Sequence, residues 1–233
     1  MRHIIVPEGN AVELPPAIIN PNTIPIAICK GFDTLNQTEI LQLNAASMMQ
    51  FFGRGNIILN QNDIPNYYYV ITDGYVLENY NDAKHVQHSF EILTTGFLFE
   101  KDVLFGVKKY TFSYKALTNV NVIRIKKQQI NDLLQNITFK NYILDELNQE
   151  ITNLRWRAIN NTFSIETKVS QLLLTLCQKF GNPLFKLTNT DMANMLDSTR
   201  ENVNKTLNKL WDKGLINMQS GSIFINPQLK DSL

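Results

Sequence analysis

Residues 188–225 constrain this chain more than any other stretch. Thr188-Asn189-Thr190-Asp191 places a hydroxyl before a carboxylate three residues on, an arrangement that caps the start of a short helix. Apolar Met192, Ala193 and Leu196 give way to a tight polar turn, Asp197-Ser198-Thr199, and a second helix starts at once. Ser198 or Thr199 can cap it, and Ser198 with Glu201 fits a capping box. With Val203, Leu207 and Leu210 on its inner face, the second helix packs steeply on the first, the layout of a helix-turn-helix. Gly214 ends it. Leu215 to Met218, the turn Gln219-Ser220-Gly221-Ser222, and Ile223-Phe224-Ile225 predict a β-hairpin wing.

The outer face of the second helix carries groups suited to base edges in a major groove. Arg200 can donate twice to guanine, Glu201 can accept from cytosine, and Asn202 can pair with adenine. Lys205 lies one turn past Glu201 and reaches a base or a phosphate. Thr188, Ser198, Thr199 and Lys209 are candidates for phosphate contacts that fix register. From Arg200 to Lys213, four bases stand against two acids, a local charge of +2. The whole chain has 22 Lys and Arg against 21 Asp and Glu, a net of +1, so the case for nucleic acid rests on this local pattern. Charged residues usually do no more than solvate a helix. Here the capped entry, the compact turn and the wing agree with a DNA-reading surface.

Upstream, hydrophobic periodicity changes twice. Residues 1–30 are rich in Pro and Asn and read as an extended arm, followed by a short helix over 34–49. Short aromatic and β-branched runs then recur: 51–59, 67–71, 75–77, 90–93, 97–99, 110–114 and 121–125. Asp73-Gly74 between two of them predicts a hairpin turn, and the series predicts a β-sandwich or roll. Beyond Ile125 come a short helix over 127–134 and a long one over 140–161. In the long helix Leu144, Leu147, Ile151, Leu154 and Ala158 repeat at alternating three- and four-residue steps. That seam predicts a homodimer through paired helices, although a helix lying on its own sheet calls for similar residues. Residues 163–165 read as a hinge, 166–180 as a helix, Gly181-Asn182-Pro183 as a break and 185–187 as a short strand. The chain is therefore expected to be α+β, with boundaries at 1–125 (arm and β domain), 126–163 (short helix, dimerisation helix and hinge) and 164–233 (winged helix-turn-helix).

Several other classes are disfavoured. Two cysteines, Cys29 and Cys177, are too few for a four-thiolate iron–sulfur site or a disulfide scaffold. Cys177 sits in an apolar run and reads as core; whether Cys29 is redox-active stays open. No apolar stretch has the length of a membrane span and the N-terminus has no secretory pattern, so a cytoplasmic protein is expected. A cupin-like metalloenzyme on the β domain would draw on His85, His88 and Glu91, but strand alternation points His85 and His88 to opposite faces. No metal site is expected, nor a catalytic triad or phosphate loop. A winged helix that binds protein is the other alternative; substitution of Arg200 and Glu201 separates it from a DNA reader.

Ser198-Thr199-Arg200-Glu201-Asn202-Val203-Asn204-Lys205 resembles the recognition-helix signature of the cyclic-AMP receptor protein and fumarate–nitrate regulator family, Ser-Arg-Glu-Thr-Val-x-Arg. The resemblance gives the base-reading roles to Arg200, Glu201 and Lys205, where Lys replaces the planar fork of Arg. Gly55-x-x-Ile58, Asn62-Asp63, Tyr69-x-Ile71 and Asp73-Gly74-Tyr75-Val76 resemble the opening of that family's β-roll, a jelly-roll-like sensor domain. It implies a dimeric regulator, an activator that touches RNA polymerase, bound to a palindromic site in double-stranded DNA and switched through the β-roll. The family's cyclic-nucleotide cassette, Gly-Glu-Leu followed by Arg-Ser, is replaced: Tyr110-Thr111 falls where Arg-Ser belongs. Cyclic AMP is therefore not expected, and the cysteine count excludes the iron–sulfur cluster of the fumarate–nitrate branch. Lys108, Lys109, Tyr110 and Arg155 are candidate contacts for an unidentified anionic effector.

Overall fold

The computed structural model describes residues 31–160, 162–182, 187–219 and 222–231. The arm over 1–30 with Cys29, and most of the strand expected at 185–187, lie outside the described residues. Helix α1 (Gln37–Ala45) opens on a capping box in which Asn36 and Glu39 each bond the other's backbone N–H. It is shorter than the helix expected over 34–49. The backbone of the next segment, β1 (Ser47–Phe52), is claimed by a ladder to a distant strand, so Met48 and Met49 leave the helix.

Among the described residues six further strands follow in the front half: β2 (Ile57–Leu59), β3 (Tyr67–Asp73), β4 (Val76–Asn81), β5 (Gln87–Leu93), β6 (Ser113–Ala116) and β7 (Val120–Lys126). They form two antiparallel sheets, β1-β7-β3 and β2-β6-β4-β5. Val70, Ile71, Val76, Leu93, Val122 and Ile123 are buried in the core of the roll. Phe99 and Tyr114 stack there with ring centroids 4.4 Å apart.

The Asp73-Gly74 hairpin expected from sequence does not form. β3 and β4 belong to different sheets, and Gly74 is the corner where the chain changes sheet. Its φ is +92°, and a Cβ there would lie 2.3 Å from the Asn119 carbonyl oxygen. A side chain is excluded by close backbone approach as much as by conformation. The true hairpin joins β4 to β5, through a turn in which Asp82 Oδ1 accepts the N–H groups of Lys84 and Val86. Two strand expectations also change. Residues 97–99 contribute only a single bridge, Leu98 to Val70, and the strand expected over 110–114 begins at Ser113. In both places aromatic residues pack into the core without a ladder, which period alone does not distinguish from a strand.

Helix α2 (Lys127–Leu133) leads to α3 (Ile137–Asn160). Phe139 and Ile143 of α3 are buried in the roll and Leu147 packs at its margin. Leu144, Ile151, Leu154 and Ala158 are exposed on the single chain. The C-terminal part consists of α4 (Ile165–Phe180), α5 (Asn189–Met195), α6 (Arg200–Asp212), the hairpin β8 (Ile216–Gln219) and β9 (Ser222–Ile225), and a short α7 (Gln228–Asp231) that the sequence reading missed. Its core joins Val169 and Leu173 of α4 to Met192, Val203, Leu207 and Ile216, and Leu77, Ile92 and Leu117 of the roll belong to the same cluster. Lys179 Nζ donates to Glu91 Oε1 and the Ile92 carbonyl, both at 2.8 Å, fastening α4 to β5.

Candidate nucleic-acid interface

The reading surface is built from two caps and a turn. Thr188 Oγ1 accepts the Asp191 N–H while donating to Asp191 Oδ2 at 2.7 Å, so its hydroxyl is engaged in starting α5. The turn that follows contains Asp197 with φ +47°. Thr199, not Ser198, is the N-cap of α6; its Oγ1 accepts the Asn202 N–H at 3.1 Å. The Ser198–Glu201 capping box does not form, because Glu201 then falls in the first turn, where its carboxylate meets Lys205 Nζ at 3.1 Å. Thr199→Ala is expected to lower stability by about 1 kcal/mol, the usual worth of such a cap. Denaturant unfolding measures it, and a smaller loss means that Ser198 takes over.

Val203, Thr206, Leu207 and Leu210 of α6 are buried, and Arg200, Glu201, Asn202, Asn204, Lys205, Asn208 and Lys209 are exposed. Arg200 has no ion pair among the described residues, so its guanidinium is available. The Glu201–Lys205 pair is 76% and 71% exposed, so solvent screens it and it is held weakly. Asn189 of α5 donates to Asn204 Oδ1 at 3.0 Å and braces the two helices.

Glu166 at the start of α4, which the sequence reading passed over, receives Lys209 and Lys213 on its two oxygens. The bond from Lys209, then that from Lys213, holds its carboxyl below the usual range. Lys209 is thus turned toward α4, where a phosphate would have to compete with Glu166.

The effector candidates are not brought together inside the roll. Lys108, Lys109 and Arg155 are exposed. Tyr110 is buried, its hydroxyl donating to the Tyr67 carbonyl at 2.6 Å, and burial raises its phenol above the ordinary value. A cavity of about 110 Å³ in the roll is lined instead by Glu78, Phe97, Glu100, Lys101, Phe112, Tyr114 and Glu150. Glu100, at φ +54°, accepts the backbone N–H groups of Thr111 at 3.1 Å and Phe112 at 3.0 Å. Lys101 is buried over the Phe97 ring and pairs with Glu150 of α3 at 2.6 Å.

His85 lies in the β4–β5 turn at φ +61°, while His88 bonds Asp197 and Glu91 bonds Lys179. They do not converge on a metal, and no cluster of three metal-binding side chains occurs among the described residues. No helix among the described residues is long and apolar enough to cross a membrane.

Residues 49–137 match the family model of the cyclic nucleotide-binding domain, and residues 167–228 that of the Crp-like helix-turn-helix domain. No curated protein matches the sequence. Among solved structures, a transcriptional regulator of the crp/fnr family from Eubacterium rectale is 16% identical, with 88% of this chain and 98% of that one covered and a TM-score of 0.73. The c-di-GMP responsive global regulator CLP of Xanthomonas campestris is 14% identical over 82% of this chain and 99% of its own, with a TM-score of 0.71. FixK2 from Bradyrhizobium japonicum is also 14% identical, covering 79% and 96%, with a TM-score of 0.70. These likenesses are likenesses of fold, the α+β arrangement of β-roll, long helix and winged helix-turn-helix.

Proposed function

Because the chain belongs to the cyclic-AMP receptor protein and fumarate–nitrate regulator family of DNA-binding transcription regulators, we propose that it reads a palindromic operator as a homodimer and activates transcription through contact with RNA polymerase. The observation that carries this reading is the division of α6, whose apolar residues are buried while Arg200, Glu201, Asn202 and Lys205 face outward. Those four are assigned to base edges, and Ser198, Thr199 and, against the competition described, Thr188 and Lys209 to phosphates. The exposed Leu144, Ile151, Leu154 and Ala158, with Leu147 beside them, supply the apolar face of the dimer. The working division of the chain is 1–125, 126–163 and 164–233, with its place of action in the cytoplasm.

Two observations weigh against cyclic AMP as the effector of this β-roll. The Glu100 carboxylate occupies the N–H pair at Thr111 and Phe112, and the cavity of about 110 Å³ is well below the ~300 Å³ at which ligand sites begin. Nor do the two cysteines support an iron–sulfur cluster. An anionic effector of another kind would meet Lys108, Lys109 and Arg155 at the surface, with Tyr110 serving packing.

Selection of the purified chain against random duplexes, followed by titration at two salt concentrations, tests the reading. The expected result is a palindrome with half-site centres roughly 34 Å apart and an affinity that falls steeply with salt. Weak binding to every sequence alike would overturn it.

A further inference from the structure

The helix-turn-helix does not hang free of the β-roll. α5 lies against β5, above the apolar cluster that the two parts share. At the edge of this contact stands His88 of β5. Its Nδ1 is 2.8 Å from Asp197 Oδ1, and its Nε2 is 3.5 Å from Asp82 Oδ2 in the β4–β5 turn. Asp197 belongs to the turn between α5 and α6, two residues before the cap of the reading helix. The imidazole therefore bridges the sensor sheet and the segment that aims α6.

The two ring nitrogens face two carboxylates. A neutral imidazole has one N–H and can donate to only one of them, whereas the imidazolium donates to both. In the docked arrangement the reading face of α6 stays exposed, so a head held this way loses less orientational freedom when it meets DNA.

We propose that His88 is a positioning residue for DNA reading: anchored by Asp82, it grips Asp197 and fixes the start of α6 relative to the β-roll, the imidazolium more firmly than the imidazole. The proposal rests on the assignment of α6 to DNA. The Asp197 bond, opposed by desolvation and aided by Asp82, raises the pKa of His88 above its ordinary value. Such a group contributes fully below the ordinary histidine value of about 6.5 and loses its contribution as pH climbs through the raised one. Other charges line the adjoining cleft of about 590 Å³: Glu91 and Lys179, paired with each other, and Lys168 of α4. All of them remain in a His88 variant, which subtracts whatever they add.

The test uses the full chain on its selected operator from about pH 6 to about pH 8.5 at constant ionic strength. Wild type is expected to lose ~3-fold in affinity per head across that range, in keeping with a partly exposed ion pair. His88→Gln and Asp197→Asn should each remove this added slope, and the double variant should do no more than either single one. His88→Arg, a permanent cation, should restore tight binding without the slope. Parallel profiles for wild type and His88→Gln would overturn the inference while leaving the DNA assignment intact. Absence of sequence-specific binding at any pH would sink the DNA assignment instead. The contact is then decided without DNA by an NMR titration of His88, whose midpoint must fall in Asp197→Asn; an unchanged midpoint rules out the grip.

Discussion

Replacing Arg200 with alanine is expected to cost about 1–3 kcal/mol at each half-site, the worth of a bidentate contact to guanine. Two half-sites bring the loss to about 2–6 kcal/mol, or roughly 30-fold to 10⁴-fold in operator affinity. The expectation is this large because no partner among the described residues restrains the side chain. Arg200 opens α6, is exposed, and has no ion pair among the described residues, while the cap at Thr199 and the buried Val203 and Leu207 hold the helix without it. The fold should therefore survive. Fluorescence anisotropy on the selected duplex and on single base-pair variants provides the measurement. Wild type should discriminate at one position of each half-site, and Arg200→Ala should be indifferent there. Arg200→Lys should recover charge but little of the discrimination, for want of the fork. An equal loss on every sequence would reassign Arg200 to the phosphate backbone.

Ile151→Glu combined with Leu154→Glu should abolish the dimer and, with it, more than ~100-fold of operator affinity, since two heads on separate chains no longer raise each other's effective concentration. Both residues are about half exposed in the single chain and neither belongs to the core of the roll, which α3 enters through Phe139 and Ile143. The double variant should consequently remain folded as a monomer, with an unfolding temperature lowered only by the lost stabilisation of dimerisation. Sedimentation at micromolar concentration decides: a dimer that persists would place the interface on another face.

The contrast between Ile143 and Ile151 shows how far the sequence is legible. The alternating three- and four-residue steps along α3 pick out Leu144, Ile151, Leu154 and Ala158, which are exposed on the single chain, but also Leu147, which packs at the margin of the roll, and they pass over Phe139 and Ile143, which enter its core. The helix-turn-helix was legible because caps and turns are local and Thr188, Asp191, Thr199 and Gly214 lie within a few residues of the backbone they serve. The failures are non-local. Asp73-Gly74 has the composition of a hairpin turn, and only the Asn119 carbonyl, brought up by β7, makes it a corner between sheets. Glu100 and Lys101 drew no reading of their own from the sequence, yet one closes on the backbone at Thr111 and Phe112 and the other is buried against α3. His88 and Asp197 are 109 residues apart, and no local pattern links them. For Lys209, position on the helix was right, but the pull of Glu166 from another helix was not visible in the period.

The order of strands in the first sheet has a consequence for how the chain is made. β1 and β3 each pair with β7 and not with one another. The strand that joins them is the last of the roll to leave the ribosome. At ~5–20 residues per second, the interval from the end of β1 to the end of β7 is about 4–15 s. Throughout it Met48, Met49 and Phe51 belong to a strand with no neighbour, at the stage when unpaired edges are most prone to misassociate. A nascent chain stalled before residue 120 would hold both outer strands and no centre. The sheet therefore assembles in one late step, and chaperone occupancy on this chain should end when β7 emerges.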